Sequence, residues 1–270
     1  MINKKAYAKI NLTLEILGTR RGDGFHDIAS VMHKAENLYD DVSVALTDSG
    51  INLYCDKNVC VSEENLAYKA AQKYINLYTE KTRGAIGADI VIHKNIPAGA
   101  GLAGGSSDGA AVLDALNEMC ENALSDKELF DIALSLGSDV PFCLEKHKCA
   151  LCTGRGEIIY DLPSLENIDI VFTLPKTPLS TKGIYGEYDK LYGDDYTKSN
   201  STRMAELIEK KADIKEILSL MCNDFQELCE KRCPEIKDAC ENLKKQNLYA
   251  QMSGSGSAVF GISLKNKIKK

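Results

Sequence analysis

No stretch of this 270-residue chain approaches the ~18 consecutive apolar residues that a membrane span requires. Met1 to Lys9 also lacks the apolar core of a secretory signal. A soluble, cytoplasmic protein with no membrane partner is the expectation. Positive charge is not in excess: 33 Lys and Arg stand against 39 Asp and Glu, a net −6, which argues against nucleic-acid binding through overall charge. The sequence shows no internal repeat, no Gly-Lys-Ser or Gly-Lys-Thr of a Walker A loop, and no carboxylate cluster that would mark a divalent-metal site. What is present is ordinary globular composition, 44% hydrophobic and 27% charged, sufficient for a packed core. At roughly 100–200 residues per domain, two domains are expected, residues 1–160 and 161–270.

The ten cysteines are spread among Leu, Ile and Ala, at positions such as Cys120 and Cys222 that read as helix faces. Reduced, mostly buried thiols are expected rather than a disulfide framework. Cys149 and Cys152 are spaced C-x-x-C, and Cys229 and Cys233 lie four apart, but neither pair has the turn residues of a zinc ribbon.

From Ala6 to Ile16 the apolar residues Ala6, Ala8, Ile10, Leu12, Leu14 and Ile16 alternate with Tyr7, Lys9, Asn11, Thr13 and Glu15. This predicts one half-buried strand with its polar face in water. Residues two apart on a strand point the same way about 6.6 Å apart, so Lys9 and Asn11 can address one bound molecule together. Further strands are expected at 41–46, 51–55, 89–93, 169–174, 249–252 and 258–263, with a strand, turn and strand over 149–160. Helices are expected at 65–78, after the glycine loop of 99–105, at 125–136, and over 203–210, 213–232 and 234–245. Ser125-Asp126-Lys127-Glu128 is a capping box and Gly137 a stop, which places Asp139 just past a helix end. Residues 162–202, rich in Pro, Ser, Thr and Tyr, resist assignment beyond the strand at 169–174. Arg20 and Arg21 read as solvated loop charges, and 265–270 as a frayed basic tail.

The most informative segment is Pro97-Ala98-Gly99-Ala100-Gly101-Leu102-Ala103-Gly104-Gly105-Ser106-Ser107. It follows a strand and opens a helix, so its backbone N–H groups converge at the positive end of a helix dipole, where a polyphosphate fits. Two generic patterns overlap it. Gly99-x-Gly101-x-x-Gly104 spells a dinucleotide fingerprint, but Pro97 and a long irregular loop replace the tight turn which that site needs. Gly105-x-Ser107-x-Gly109 spells a hydrolase nucleophile elbow, with Asp139 and His147 following in triad order, yet Ser107 is expected inside the first helical turn.

Ala6-Tyr7-Ala8-Lys9-Ile10-Asn11-Leu12, the 97–107 loop and Met252-Ser253-Gly254-Ser255-Gly256-Ser257 resemble, in order, the three motifs of the GHMP small-molecule kinases. Gly22-Asp23-Gly24-Phe25-His26-Asp27, Gly137-Ser138-Asp139-Val140-Pro141-Phe142 and Asn223-Asp224-Phe225 resemble the 4-diphosphocytidyl-2-C-methyl-D-erythritol kinases within that superfamily, so the likeness spans essentially the whole chain. The resemblance implies an α+β, two-domain GHMP-kinase-like fold with its active site in the interdomain cleft. It implies transfer of the ATP γ-phosphate to the 2-hydroxyl of the cytidine diphosphate-linked methylerythritol, with Mg2+ accompanying ATP and no ligand assigned to it. By position, Lys9 and Asp139 match the family's catalytic pair and residues 97–107 its ATP loop. Asn11, Phe25, His26, Thr181 and Tyr185 match substrate-binding positions. Ala103 departs from a usual Gly, Gly109 from a common Ala, and Phe25 from the more usual Tyr.

This assignment makes physical sense. Phosphoryl transfer needs positioning and charge neutralisation more than covalent help. A carboxylate at Asp139 can accept the hydroxyl proton, and the Lys9 ammonium can offset both the dipole of the preceding helix and the developing alkoxide. Phe25 and Tyr185 can sandwich a pyrimidine while His26 reads its polar edge. Without the resemblance, Lys9 would read as a solvated strand residue, Asp139 as a turn residue before Pro141, and Ser253 to Ser257 as an ordinary hairpin turn. His33, His93 and His147 read as surface or packed histidines. The rival readings are a GHMP kinase for homoserine, mevalonate or a sugar, a Ser107 hydrolase, and a non-catalytic nucleotide sensor.

Overall fold

The N-terminal alternation folds as two strands, β1 (Ile2–Asn11) and β2 (Thr13–Thr19), interrupted at Leu12. The face expected in water is buried: Lys9, Asn11, Thr13 and Glu15 are as enclosed as the apolar residues between them. Polarity alone misread this face, because each of these side chains has hydrogen-bond partners inside the protein. The structure is a computed structural model that describes residues 1–265 apart from 21, 23, 58–61, 145 and 178. Arg21, Asp23 of the 22–27 motif and the tail from 266 onward therefore lie outside the described residues.

The other strands are β3 (His26–Thr47), β4 (Ile51–Cys55), β5 (Gly87–His93), β6 (Cys149–Gly154), β7 (Ile158–Leu162), β8 (Ile168–Thr173), β9 (Cys222–Asn223), β10 (Tyr249–Met252) and β11 (Val259–Leu264). The helices are α1 (Leu66–Thr82), α2 (Gly104–Met119), α3 (Asp126–Leu136), α4 (Val140–Leu144), α5 (Thr181–Leu191), α6 (Asn200–Glu209), α7 (Ile214–Leu218), α8 (Gln226–Arg232) and α9 (Pro234–Lys245). One expectation changes: the single helix over 213–232 is broken between α7 and α8, where β9 pairs in parallel with β2, Leu14 opposite Asn223. Within 162–202, where the sequence resists assignment, Ser180 caps α5 by accepting the Gly183 N–H, so Thr181 and Tyr185 sit on a helix.

The chain forms two compact units, each assembled from several segments. The first comprises Met1–Ala8, Glu36–Ala98 and Ala103–Lys146. Its strand β5 pairs in parallel with β4 and antiparallel with Asp41–Thr47 of β3. Helices α1 and α2 approach closely at Gly109, where a methyl would stand 3.2 Å from the Leu66 carbonyl oxygen, and Ala67, Ala70, Ala71, Ala110 and Ala111 share the core around them. The capping box of α3 forms as expected. Tyr74, Val112, Leu113 and Ile90 fill this core.

The second unit comprises Lys9–Ala35, Gly99–Leu102 and His147–Lys270. Here the beginning of β3 pairs antiparallel with β2 and β6, and β6 with β7. A separate three-stranded antiparallel sheet runs in the order β10-β11-β8. Its core gathers Leu14, Ile16, Phe225, Ile236, Met252 and Val259. Cys149, Cys229 and Cys240 are buried free thiols in this unit, and burial pushes Cys149 and Cys229 up to about 12, so they behave as apolar packing groups. Among the described residues, no helix is long and apolar enough to cross a membrane.

Candidate active site

Lys9 and Asn11 end β1 and are 4% and 1% exposed. Lys9 Nζ donates to Asn11 Oδ1 at 2.7 Å and to the Gly101 carbonyl at 3.2 Å, while the Lys9 backbone N–H donates to Leu102 O at 3.1 Å. Asn11 Nδ2 donates to Ser30 Oγ at 2.8 Å, and Ser30 Oγ in turn donates to Thr13 O at 2.6 Å. The chain of donors fixes which way the Asn11 amide faces, with its oxygen toward the ammonium. Taking an ammonium out of water costs several kcal/mol, so a buried lysine held by this many oriented acceptors is a built feature of the site.

The Gly101 carbonyl also accepts from Ser253 Oγ at 3.0 Å, which brings the glycine loop, β1 and the β10–β11 turn together in the second unit. Gly101 has φ +77°, and a methyl there would collide with the Ser253 carbonyl, so glycine is required on both counts. In the turn, Ser253 N–H donates to Ala258 O at 2.9 Å and Gly256 N–H to Ser253 O at 3.0 Å. A methyl on Gly254 would stand 3.0 Å from the Gly101 oxygen and 3.4 Å from Lys9 Nζ. Thr181 Oγ1 lies 2.7 Å from Ser255 Oγ, so the start of α5 is tied to the same turn.

Within the expected ATP loop, Gly99, Gly101 and Ala103 adopt positive φ of 66°, 77° and 58°. Ala103 is the N-cap of α2, and the first intrahelical bond is Ser107 N–H to Ala103 O at 2.9 Å. The backbone N–H groups of Gly104, Gly105 and Ser106 thus have no intrahelical partner, the condition for an anion cradle. Gly105 is exposed and Gly104 half-buried. Ser107 is buried and its hydroxyl donates to Tyr7 O at 2.6 Å, with Cys143 Sγ 3.2 Å away. A hydroxyl so engaged inside a helix does not act as a hydrolase nucleophile. His147, the third member of that supposed triad, pairs through Nδ1 with Asp161 Oδ1 at 2.5 Å.

Beneath the start of α2 lies a charged cluster that the sequence did not reveal. Lys94 Nζ bonds Asp40 Oδ2 and, at 2.6 Å, Asp108 Oδ2. Asp40 Oδ1 accepts from the backbone N–H groups of Asn95 at 2.5 Å and Ile96 at 2.8 Å. Asp108 Oδ1 is buried and has no hydrogen-bond partner. Desolvation by burial, opposed by Lys94 and reinforced by Asp40, pushes the Asp108 carboxyl up to about 7. Burial pulls the Lys94 ammonium down, but Asp108 and Asp40 outweigh it and the net displacement is upward. A methyl on Gly104 would meet Ile96 at 2.9 Å and Lys94 Nζ at 3.3 Å, which explains a glycine at the first helical position.

Asp139 belongs to the first unit and is half-buried. It lies just past the end of α3, as the capping box and Gly137 predict, and its carbonyl accepts the Cys143 N–H at 3.1 Å, so it also directly precedes α4. In the second unit, His26 Nε2 lies 2.6 Å from Asp189 Oδ1, and the His26 and Tyr185 ring centroids are 4.7 Å apart at 39°. Tyr185 also meets Phe225 edge-on at 4.6 Å. Phe25 is 47% exposed, with the Arg155 guanidinium 4.5 Å over its ring. Beside His26 a cavity of about 280 Å³ is lined by Thr19, Tyr188, Asp189 and Asp194. Ser30 and Asp189 escaped the sequence reading because their partners lie 19 and 163 positions away.

The description GHMP kinases N terminal domain matches residues 65–147, and GHMP kinases C terminal matches 204–270. The chain is 38% identical to the 4-diphosphocytidyl-2-C-methyl-D-erythritol kinase of Desulfotalea psychrophila, over 97% of this chain and 85% of that protein. It is 40% identical to the enzyme of that name from Prochlorococcus marinus, over 95% of this chain and 82% of that protein. A crystal structure of 4-(cytidine 5'-diphospho)-2C-methyl-D-erythritol kinase superposes with a TM-score of 0.77 at 30% identity, covering 98% of this chain and 91% of that one. Homoserine kinase from Cytophaga hutchinsonii, with a TM-score of 0.69 at 18% identity, shares the fold over 99% of this chain and 88% of that one. A GHMP kinase fold, motifs matched in order and full-length likeness above 35% identity make the chain a member of the GHMP kinases, in their 4-diphosphocytidyl-2-C-methyl-D-erythritol kinase family.

Proposed function

We propose that this enzyme transfers the γ-phosphoryl group of ATP to the 2-hydroxyl of 4-diphosphocytidyl-2-C-methyl-D-erythritol, releasing the 2-phosphate and ADP, in non-mevalonate isoprenoid precursor synthesis. The observation that carries the mechanism is the Lys9 ammonium, buried and aimed by Asn11 and Gly101. Lys9 supplies positive charge where the substrate oxygen gains negative charge, and Asp139 accepts the hydroxyl proton as that oxygen attacks phosphorus. A positioned base of this kind contributes about 10²–10⁴-fold. The 97–107 loop cradles the phosphates through backbone N–H groups at the start of α2, with the Ser107 hydroxyl serving the framework.

The cytidine reading rests on His26, Tyr185 and Phe25. Tyr185 and His26 already form a ring pair, and the half-exposed Phe25 ring presents a stacking surface, worth about 1–3 kcal/mol per base. Asn11 and Thr181 are the further substrate-binding positions of this reading. Mg2+ is proposed to arrive on the nucleotide: among the described residues no group of three or more His, Cys, Asp or Glu is placed to hold a metal ion, and Mg2+ commonly relies on substrate phosphates plus water. We place the enzyme in the cytoplasm, where buried reduced thiols persist.

The test is ADP release by purified protein with Mg-ATP, comparing the diphosphocytidyl acceptor with homoserine, mevalonate and galactose, and locating the product phosphate by NMR. Turnover confined to the cytidylyl acceptor is expected. Turnover with another acceptor keeps the kinase and removes the base pocket. Lys9→Ala and Asp139→Asn are each expected to lose turnover with the fold retained, and near-normal turnover in either overturns that residue's role.

A further inference from the structure

Asn223 stands outside the residues assigned to nucleotide or substrate, yet its side chain is fully employed. Oδ1 accepts the Phe225 N–H at 3.0 Å, and Nδ2 donates to two carbonyls, Met252 O and Gly254 O, each at 2.9 Å. Those carbonyls flank Ser253, whose hydroxyl bonds the same Gly101 oxygen that accepts from Lys9 Nζ. Gly254 packs against Gly101 so closely that a methyl there would reach 3.2 Å from the Gly101 Cα. We propose that Asn223 is a positioning residue for phosphoryl transfer: by clamping Met252 and Gly254 it presses Ser253 and Gly254 onto Gly101 and so fixes where the Lys9 ammonium stands. The inference rests on the catalytic reading of Lys9.

The chemistry selects the residue type. Holding two carbonyls while accepting one N–H requires two donors and an acceptor on one short side chain, which asparagine alone supplies at this reach. Strand β10 does not depend on this clamp. Gln226 Oε1 accepts the Met252 N–H at 3.1 Å, and Gln251 Nε2 lies within 3.1–3.3 Å of the Asn11, Leu12 and Cys222 carbonyls. Losing Asn223 therefore loosens the turn and leaves the strand in register. A displacement of about 1 Å at a reacting group can cost 10²-fold in rate.

The test uses Asn223→Asp and Asn223→Ala in the full chain, with kcat and KM for both substrates and a urea midpoint. Asn223→Asp keeps size and the acceptor for Phe225 but turns a carboxylate on two carbonyls. A ten- to hundred-fold fall in kcat is expected, with both KM values within threefold and the protein folded. Adding Ser253→Ala to Asn223→Asp is expected to give little further loss, since both act through Gly101. A kcat within threefold of wild type, a loss in KM alone, or fully multiplicative losses in the double variant overturns the proposal, as does failure of both Asn223 variants to fold. Near-normal turnover in Lys9→Ala defeats the reading of Lys9 itself. Normal kcat in folded Asn223 variants beside an inactive Lys9→Ala defeats the positioning alone.

Discussion

Asp108→Asn should change how stability depends on pH. The Asp108 side chain is 3% exposed, one oxygen has no partner, and its carboxyl lies at about 7 against an ordinary 3.8. A raised folded-state value means that both states hold the proton below 3.8, so Asp108 then contributes no linkage cost. Between 3.8 and about 7 the unfolded chain has released its proton while the folded chain keeps it, and stability falls with rising pH. Above about 7 both are ionised and the loss is complete. At 1.36 kcal/mol per pKa unit, a displacement of about three units amounts to about 4 kcal/mol over the whole window, and about 2–3 kcal/mol of it falls between pH 5 and pH 8. The amide is isosteric, offers Lys94 the same acceptor oxygen and does not titrate. Ionisations remote from Asp40 and Lys94 are common to the two proteins and cancel in their difference. Urea unfolding of wild type and variant at pH 5, 6, 7 and 8 should show the variant gaining on wild type by that amount as pH rises. Parallel stability curves, with a gap constant within about 0.5 kcal/mol, would refute the claim that Asp108 holds a proton in the folded state near neutrality.

Ala103→Gly relieves an L-residue at φ 58°, which costs about 1–2 kcal/mol, against about 0.5–1 kcal/mol of added unfolded-state entropy. A slightly higher urea midpoint is expected, and a lower one refutes the assignment of strain. Gly101→Ala drives a methyl into the Ser253 carbonyl at positive φ, so turnover should fall more than 100-fold, and activity within tenfold of wild type shows that the loop adapts. Asp189→Asn weakens the partner that orients the His26 ring, so KM for the cytidylyl acceptor should rise several-fold with kcat within twofold. An unchanged KM separates Asp189 from base recognition.

Much of this arrangement was written in short-range patterns. The period-2 alternation placed Lys9 and Asn11 on one side of a strand, the glycine loop stood between a strand and a helix, and Ser125 to Glu128 announced the start of α3. What escaped depends on distant partners. Polarity on the second face of β1 reads as solvation, yet Asn11 meets Ser30 and Lys9 meets Gly101, 92 positions away. The helical period over 213–232 carries no sign that Asn223 will leave the helix to bond Met252 and Gly254. In α5 only Ile184 and Tyr188 are buried, and Gly183 and Gly186 dilute the helical signal, so the segment carrying Tyr185 resists assignment from sequence.

Lys9 and Lys94 show why burial and residue type together do not identify a catalytic group. Both are buried lysines, Lys9 within β1 and Lys94 just after β5, 4% and 5% exposed, and both contact the segment that carries the glycine loop. Lys9 donates to the Asn11 amide oxygen and the Gly101 carbonyl, which orient its ammonium. Lys94 donates to two carboxylates, which together carry more negative charge than one ammonium can offset, and the excess is relieved by a proton on Asp108 near neutral pH. A lysine held between two carboxylates has spent its field on the framework, so Lys94 supports the start of α2, and burial of an ammonium beside the glycine loop does not by itself mark a catalytic group.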